Sequence, residues 1–77
     1  MSDADIHATI NALVDEEHQL RGSSDHTIEQ RTRLHDIEVA LDQAWDLLRR
    51  REAAREAGKN PDEVEARPAS QVESYLQ

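Results

Sequence analysis

Ile6, Ile10, Leu13, Glu17 and Leu20 follow one another at steps of four, three, four and three. That alternation keeps side chains on one face of an α-helix, and Val14 widens the face. Glu17 is the polar member of an otherwise apolar row. Ser2 stands where a helix N-cap is needed, with Asp3 and Asp5 in the first turn, where the helix dipole favours anions. No glycine or proline intervenes before Gly22, so the pattern predicts a first helix over about residues 3–21. Residues 22–27 read as a connector of glycine, serine and aspartate.

The same spacing resumes at Leu34, Ile37, Leu41, Ala44 and Leu48. Thr27, with Gln30 three residues on, has the form of a capping box that opens this second helix. Gly58 is placed to close it in a left-handed conformation, giving a span of about 28–57. Asn60-Pro61 can restart a short turn, with Asn60 as cap and Pro61 at the first position. Arg67-Pro68 interrupts again, and Val72, Tyr75 and Leu76 mark a last apolar stretch in a tail over 58–77. No alternating strand pattern occurs. The expected fold is all-α: one small domain over 1–77, an antiparallel helical hairpin of a short and a long helix with a helical C-terminal tail.

Matching the two seams from the connector outward sets Leu20 near Ile28, Leu13 near Leu34 or His35, Ile10 near Ile37 and Ile6 near Leu41. In that register the first helix runs out opposite Trp45, and the rest of the second projects beyond it by about 17–20 Å. The second helix is widest in apolar residues there, at Ala40, Leu41, Ala44, Trp45, Leu47 and Leu48. The uncovered patch asks for a partner. The tail can supply Val64, Val72, Tyr75 and Leu76 by folding back. A second copy of the chain can dock and complete a four-helix bundle.

Composition strengthens the case for a second copy. The chain has 77 residues, 36% hydrophobic, with no phenylalanine and no cysteine. Chains this short usually add disulfides, metal, idealised helix packing or a second subunit to complete their cores, and disulfides are excluded here. The formal net charge of −8 argues against general binding to nucleic acid or anionic lipid. No apolar run is long enough to span a bilayer, and the N-terminus lacks the pattern of a secretory signal, so a cytoplasmic protein is expected.

Few residues invite chemistry. Glu17, His18, His35 and Glu38 offer carboxylate–histidine pairs of a kind that holds metals in helical bundles, but Asp15–His18 and His35–Glu38 lack the Glu-x-x-His order of di-iron sites. The expected register also sets His18 and His35 about a turn and a half apart. Glu17 is read instead as a buried polar residue that fixes register, or as an end-of-seam side chain that reaches Arg31 across the interface. Arg49, Arg50 and Arg51 point in three directions around a helix. With Asp46 and Glu52 nearby they read as a solvated, self-neutralised helix end rather than a basic stripe. No nucleophile with a base and no phosphate-cradling glycine loop is present, so neither an enzyme nor a cofactor is expected.

The runs LVDEEHQLR (Leu13–Arg21), LDQAWDLLRRREAAREAGKNPDEVEARP (Leu41–Pro68) and VESYLQ (Val72–Gln77) together resemble a family of short actinobacterial proteins of unknown function, domain of unknown function 2630. The resemblance covers nearly all of the chain outside the connector. It implies a bacterial cytoplasmic setting and a tail that belongs to the domain, and it carries over no catalytic or ligand residue. The expected role is a non-enzymatic, self-associating interaction module: a homodimer with a further protein partner. Its contact residues are expected at Trp45, Leu47, Leu48, Tyr75 and Leu76. The alternatives are a carboxylate–histidine metal bundle, or a regulator that contacts RNA or the transcription machinery through Arg49–Arg55.

Overall fold

A computed structural model describes residues 2–23 and 27–68. Helix α1 spans Asp3–Gly22 and α2 spans Ile28–Glu56; a 3-10 turn, η1, spans Pro61–Glu63. The described residues contain no strand, and α1 packs on α2 as a helical hairpin.

Local chemistry sets the ends of each element. The Ser2 hydroxyl accepts from the Asp5 N–H at 3.2 Å, and the Ser2 N–H donates to Asp5 Oδ2 at 3.0 Å, a complete capping box. The Ser2 backbone N–H foremost, and then the Ser2 hydroxyl, hold the Asp5 carboxyl below its ordinary range. The box expected at α2 is only half made. The Thr27 hydroxyl accepts from the Gln30 N–H at 3.1 Å, but the Gln30 amide turns across the connector to donate to Ser23 Oγ at 3.4 Å. Its side chain thereby ties the two helix ends together. Gly58 has φ +74°, a conformation that would strain an L side chain, and the chain reverses there to leave α2. Asn60 caps η1 by accepting from the Asp62 N–H at 3.0 Å.

The seams meet in a different register from the one expected. Ile6 and Ile10 share a buried cluster with Leu47 and Leu48, and Val14, Leu41, Ala44 and Val64 pack against it. His7, not the end of α1, lies beside Trp45. Asp3 reaches Arg51 and Arg55. The first helix is therefore displaced along the second by about one turn, ~6 Å at 1.5 Å per residue. The overhang of α2 is divided between its two ends instead of collecting past Trp45. Ile28, in the first turn of α2, is 74% exposed as a result. Packing accounts for the slide: it brings the β-branched pair Ile6 and Ile10 into the richest apolar part of α2 and lets the acidic start of α1 meet the arginines. Ile37 is wholly buried but lies outside the Ile6–Ile10 cluster.

Candidate functional site

Because successive helical residues turn by about 100°, the sequence Trp45-Asp46-Leu47-Leu48-Arg49-Arg50-Arg51 distributes its side chains right round α2. Leu47 and Leu48 enter the core, at 7% and 9% exposure. They are thus not contact residues on a free surface, as the sequence suggested; α1 already covers them. Trp45 stays 43% exposed. Its ring meets His7 edge to face at 6.2 Å between centroids. Around it lies an open groove of about 570 Å³ lined by Asp3, His7, Leu48, Arg49, Glu52, Arg55 and Glu56.

The opposite side of α2 carries the returning chain. Residues 61–68 run back along it as a strap fastened at four points. Arg51, 4% exposed, donates to Asp3 Oδ1 at 2.7 Å, to the Pro61 carbonyl at 3.0 Å and to Asp62 Oδ1 at 3.1 Å. Arg50 donates to the Glu65 carbonyl at 2.7 Å. Arg67 grips both oxygens of Asp46, which is itself 4% exposed. The Gln43 amide donates to the Arg67 carbonyl at 3.3 Å. Among the described residues no buried side-chain nitrogen or oxygen lacks a partner. The buried charges are therefore paired and hydrogen-bonded, the condition that makes their burial tolerable.

The titrations follow these contacts. The hydrogen bond from Arg51, then that from Arg55, holds the Asp3 carboxyl below the ordinary range. The Arg67 hydrogen bonds do the same for Asp46, against the opposing effect of burial. Asp3, foremost, raises the Arg51 guanidinium.

The three arginines are not the solvated helix end that their sequence suggested. Arg50 and Arg51 fasten the strap, and only Arg49 faces solvent without a salt bridge among the described residues. They also make no basic stripe for RNA: Arg51 and Arg55 both rest on Asp3, and Arg49 stands beside Glu52 and Glu56. The sequence carried a usable signal for this anchor. Arg51 follows Ile37, Ala44 and Leu47/Leu48 in heptad phase, so it sits on the seam, and Asp46 shares the strap side.

The four metal candidates are not brought together. Glu17 lies 3.6 Å from Arg21 of its own helix, not from Arg31, and Glu38 accepts from Arg21 at 2.7 Å. His18 and His35 are exposed. Among the described residues no three or more metal-ligating side chains converge. The strap supplies Val64 to the core cluster on the side away from Trp45, so the tail does fold back but does not roof the indole along its described length. Val72, Tyr75 and Leu76 lie outside the described residues. No helix among the described residues is long and apolar enough to cross a membrane.

Comparison with known proteins places this hairpin among similar chains. A family model described as "Protein of unknown function (DUF2630)" matches residues 2–77. The chain is 45% identical over 78 residues to an uncharacterized protein of Mycobacterium bovis, covering 96% of this chain and 90% of that one. An uncharacterized protein of Mycobacterium tuberculosis matches with the same identity and coverage. No solved structure matches the chain.

Proposed function

We propose a role on one premise: the chain belongs to the family of proteins of unknown function DUF2630. The proposed role is a non-enzymatic, cytoplasmic interaction module that associates with itself and, through the resulting bundle, with a further protein. The observation that carries the reading is the state of Trp45. An indole 43% exposed stands at the middle of the longer helix, beside His7, on the side that the strap leaves open. Large aromatic residues at the centre of a face are the side chains that dominate binding energy once water is excluded. Core size points the same way. The buried hydrophobic residues are Ile6, Ile10, Ile37, Leu47 and Leu48 alone among the described residues, a small core for a chain that has no disulfide to assist it.

Light scattering on a size-exclusion column tests the self-association. A dimer at about 100 µM that dissociates when Trp45 is replaced by alanine is the expected result. A chain that stays monomeric at that concentration, with Trp45 emission independent of dilution, overturns the reading.

A further inference from the structure

Trp45 belongs to a row along α2 with Leu34, Glu38, Leu41, Leu48 and Glu52 at steps of four and three; Leu41 and Leu48 turn inward to the core, and Glu38, Trp45 and Glu52 stay exposed. A matching row on α1 runs His7, Asn11, Val14, His18 and Arg21, with the same alternation. The contacts show that the two rows share one broad face of the hairpin, since His7 meets Trp45 and Arg21 meets Glu38. Such rows have the period at which helices pack side by side in a bundle. Helices about 10 Å across and about 30 and 44 Å long give a face of roughly 700 Å² per chain, near the size a standard stable interface needs from each partner.

The charges on this face decide how a second copy lies on it. Reading along its outer edge on α2, the residues are Arg31, His35, Glu38, Asp42, Trp45, Arg49, Glu52 and Glu56. Glu38 is 49% exposed in its side chain, and Arg21 engages one of its two carboxylate oxygens. If two α2 helices lie parallel across a two-fold axis, each residue meets its own copy: Glu38, Arg49, Glu52 and Glu56 each face a like charge. If they lie antiparallel about a point between Gln43 and Ala44, the like-charge pairings at Glu38, Arg49 and Glu56 become opposite-charge ones, and the two Asp42 side chains flank the axis. Arg49 falls opposite the partner's Glu38, Arg31 opposite the partner's Glu56, and His35 opposite the partner's Glu52. Trp45 then falls beside the partner's Asp42, and the two indoles flank the axis.

We propose that the open Trp45 face is the site at which a second copy of this chain docks, with the two α2 helices antiparallel and each Arg49 paired with the partner's Glu38. The proposal rests on the self-association read above and adds its geometry. Like-charge repulsion disfavours a side-by-side parallel pairing of the two α2 helices, and the two-fold axis makes each favourable pair of the antiparallel one occur twice.

Pulsed electron–electron spin resonance on single-cysteine variants tests the geometry, since the chain has no native cysteine. Labels on Asp42→Cys, near the axis, are expected within about 20 Å of each other. Labels on Glu56→Cys are expected about 40 Å apart, because residues 56 and 31 stand 25 positions apart at about 1.5 Å each. In parallel, Arg49→Glu is expected to weaken dimerisation by about tenfold or more, from two exposed pairs changed to repulsions, without lowering the helix content of the monomer by circular dichroism. Short distances at both labels, or an unchanged dimer in Arg49→Glu, overturn the antiparallel arrangement and leave self-association standing. A monomer throughout overturns both.

Discussion

On one broad face of the hairpin Arg50, Arg51 and Arg67 each have a partner in hand, and the chain crosses that face as a strap. On the other face Arg49, Glu52 and Glu56 form no salt bridge among the described residues, and an indole stands half in water. Both faces draw on the same turn of the same helix. The difference is that the first was completed by the chain's own return after Gly58, whereas the second had only α1 beside it. Adjacent arginines of identical chemistry therefore do unlike things, and the comparison can be broken one residue at a time.

The largest effect is expected at Arg51. Replacing it with leucine removes one donor group from three anchors, Asp3, the Pro61 carbonyl and Asp62. Melting followed by circular dichroism should show Tm lower by on the order of 10 °C. Hydrogen exchange should show Asp62–Val64 losing protection. A variant that melts like the wild type would mean that the strap needs no arginine anchor.

Asp46→Asn comes next. It weakens the grip of Arg67 on a buried position, a charge-assisted contact of about 1.5–3 kcal/mol. It also sharpens the comparison through pH. The Asp46 and Asp3 carboxyls are held below their ordinary range by Arg67 and Arg51 respectively. A carboxyl with a lower pKa folded than unfolded stabilises the fold above its unfolded value. That stabilisation disappears as pH falls through the folded value. Tm should therefore hold steady near neutrality and drop in acid, below about pH 4, and the drop should be smaller in Asp46→Asn. An equal acid drop in both would remove Asp46 as a source.

Trp45→Ala is expected to act differently from either. At concentrations too low for association, it should cost about 1–2 kcal/mol for the buried part of the ring. Its main effect should be on association, read by light scattering. Smallest of all, Arg49→Ala should leave dilute-solution stability within about 0.5 kcal/mol of the wild type, as surface changes usually do. A large loss of monomer stability in Arg49→Ala would show that the two faces are not the distinct environments described here.

Much of the fold was legible in the residues. Ser2 with Asp5, Thr27, Gly58 and Asn60-Pro61 mark the starts and stops through hydrogen bonds made within a few positions of each other, and such bonds hardly depend on what lies far away. The candidate site was legible only in part. Trp45 stood out as an apolar ring on a crowded face. Leu47 and Leu48 carried the same signal, and α1 absorbed them. Arg51 looked like a surface residue because its partners lie 48, 10 and 11 positions away.

Two helices, their seams and their caps follow from the residue pattern alone, because periodicity and capping are short-range properties of the chain. How far α1 slides along α2, which arginines fasten the strap and which face remains open emerge only once the chain is folded. Those outcomes follow from a competition among distant apolar and charged groups for the same partners. Several registers satisfy the seam pattern, and the one that seats Ile6 and Ile10 among Leu47 and Leu48 also brings Asp3 to Arg51.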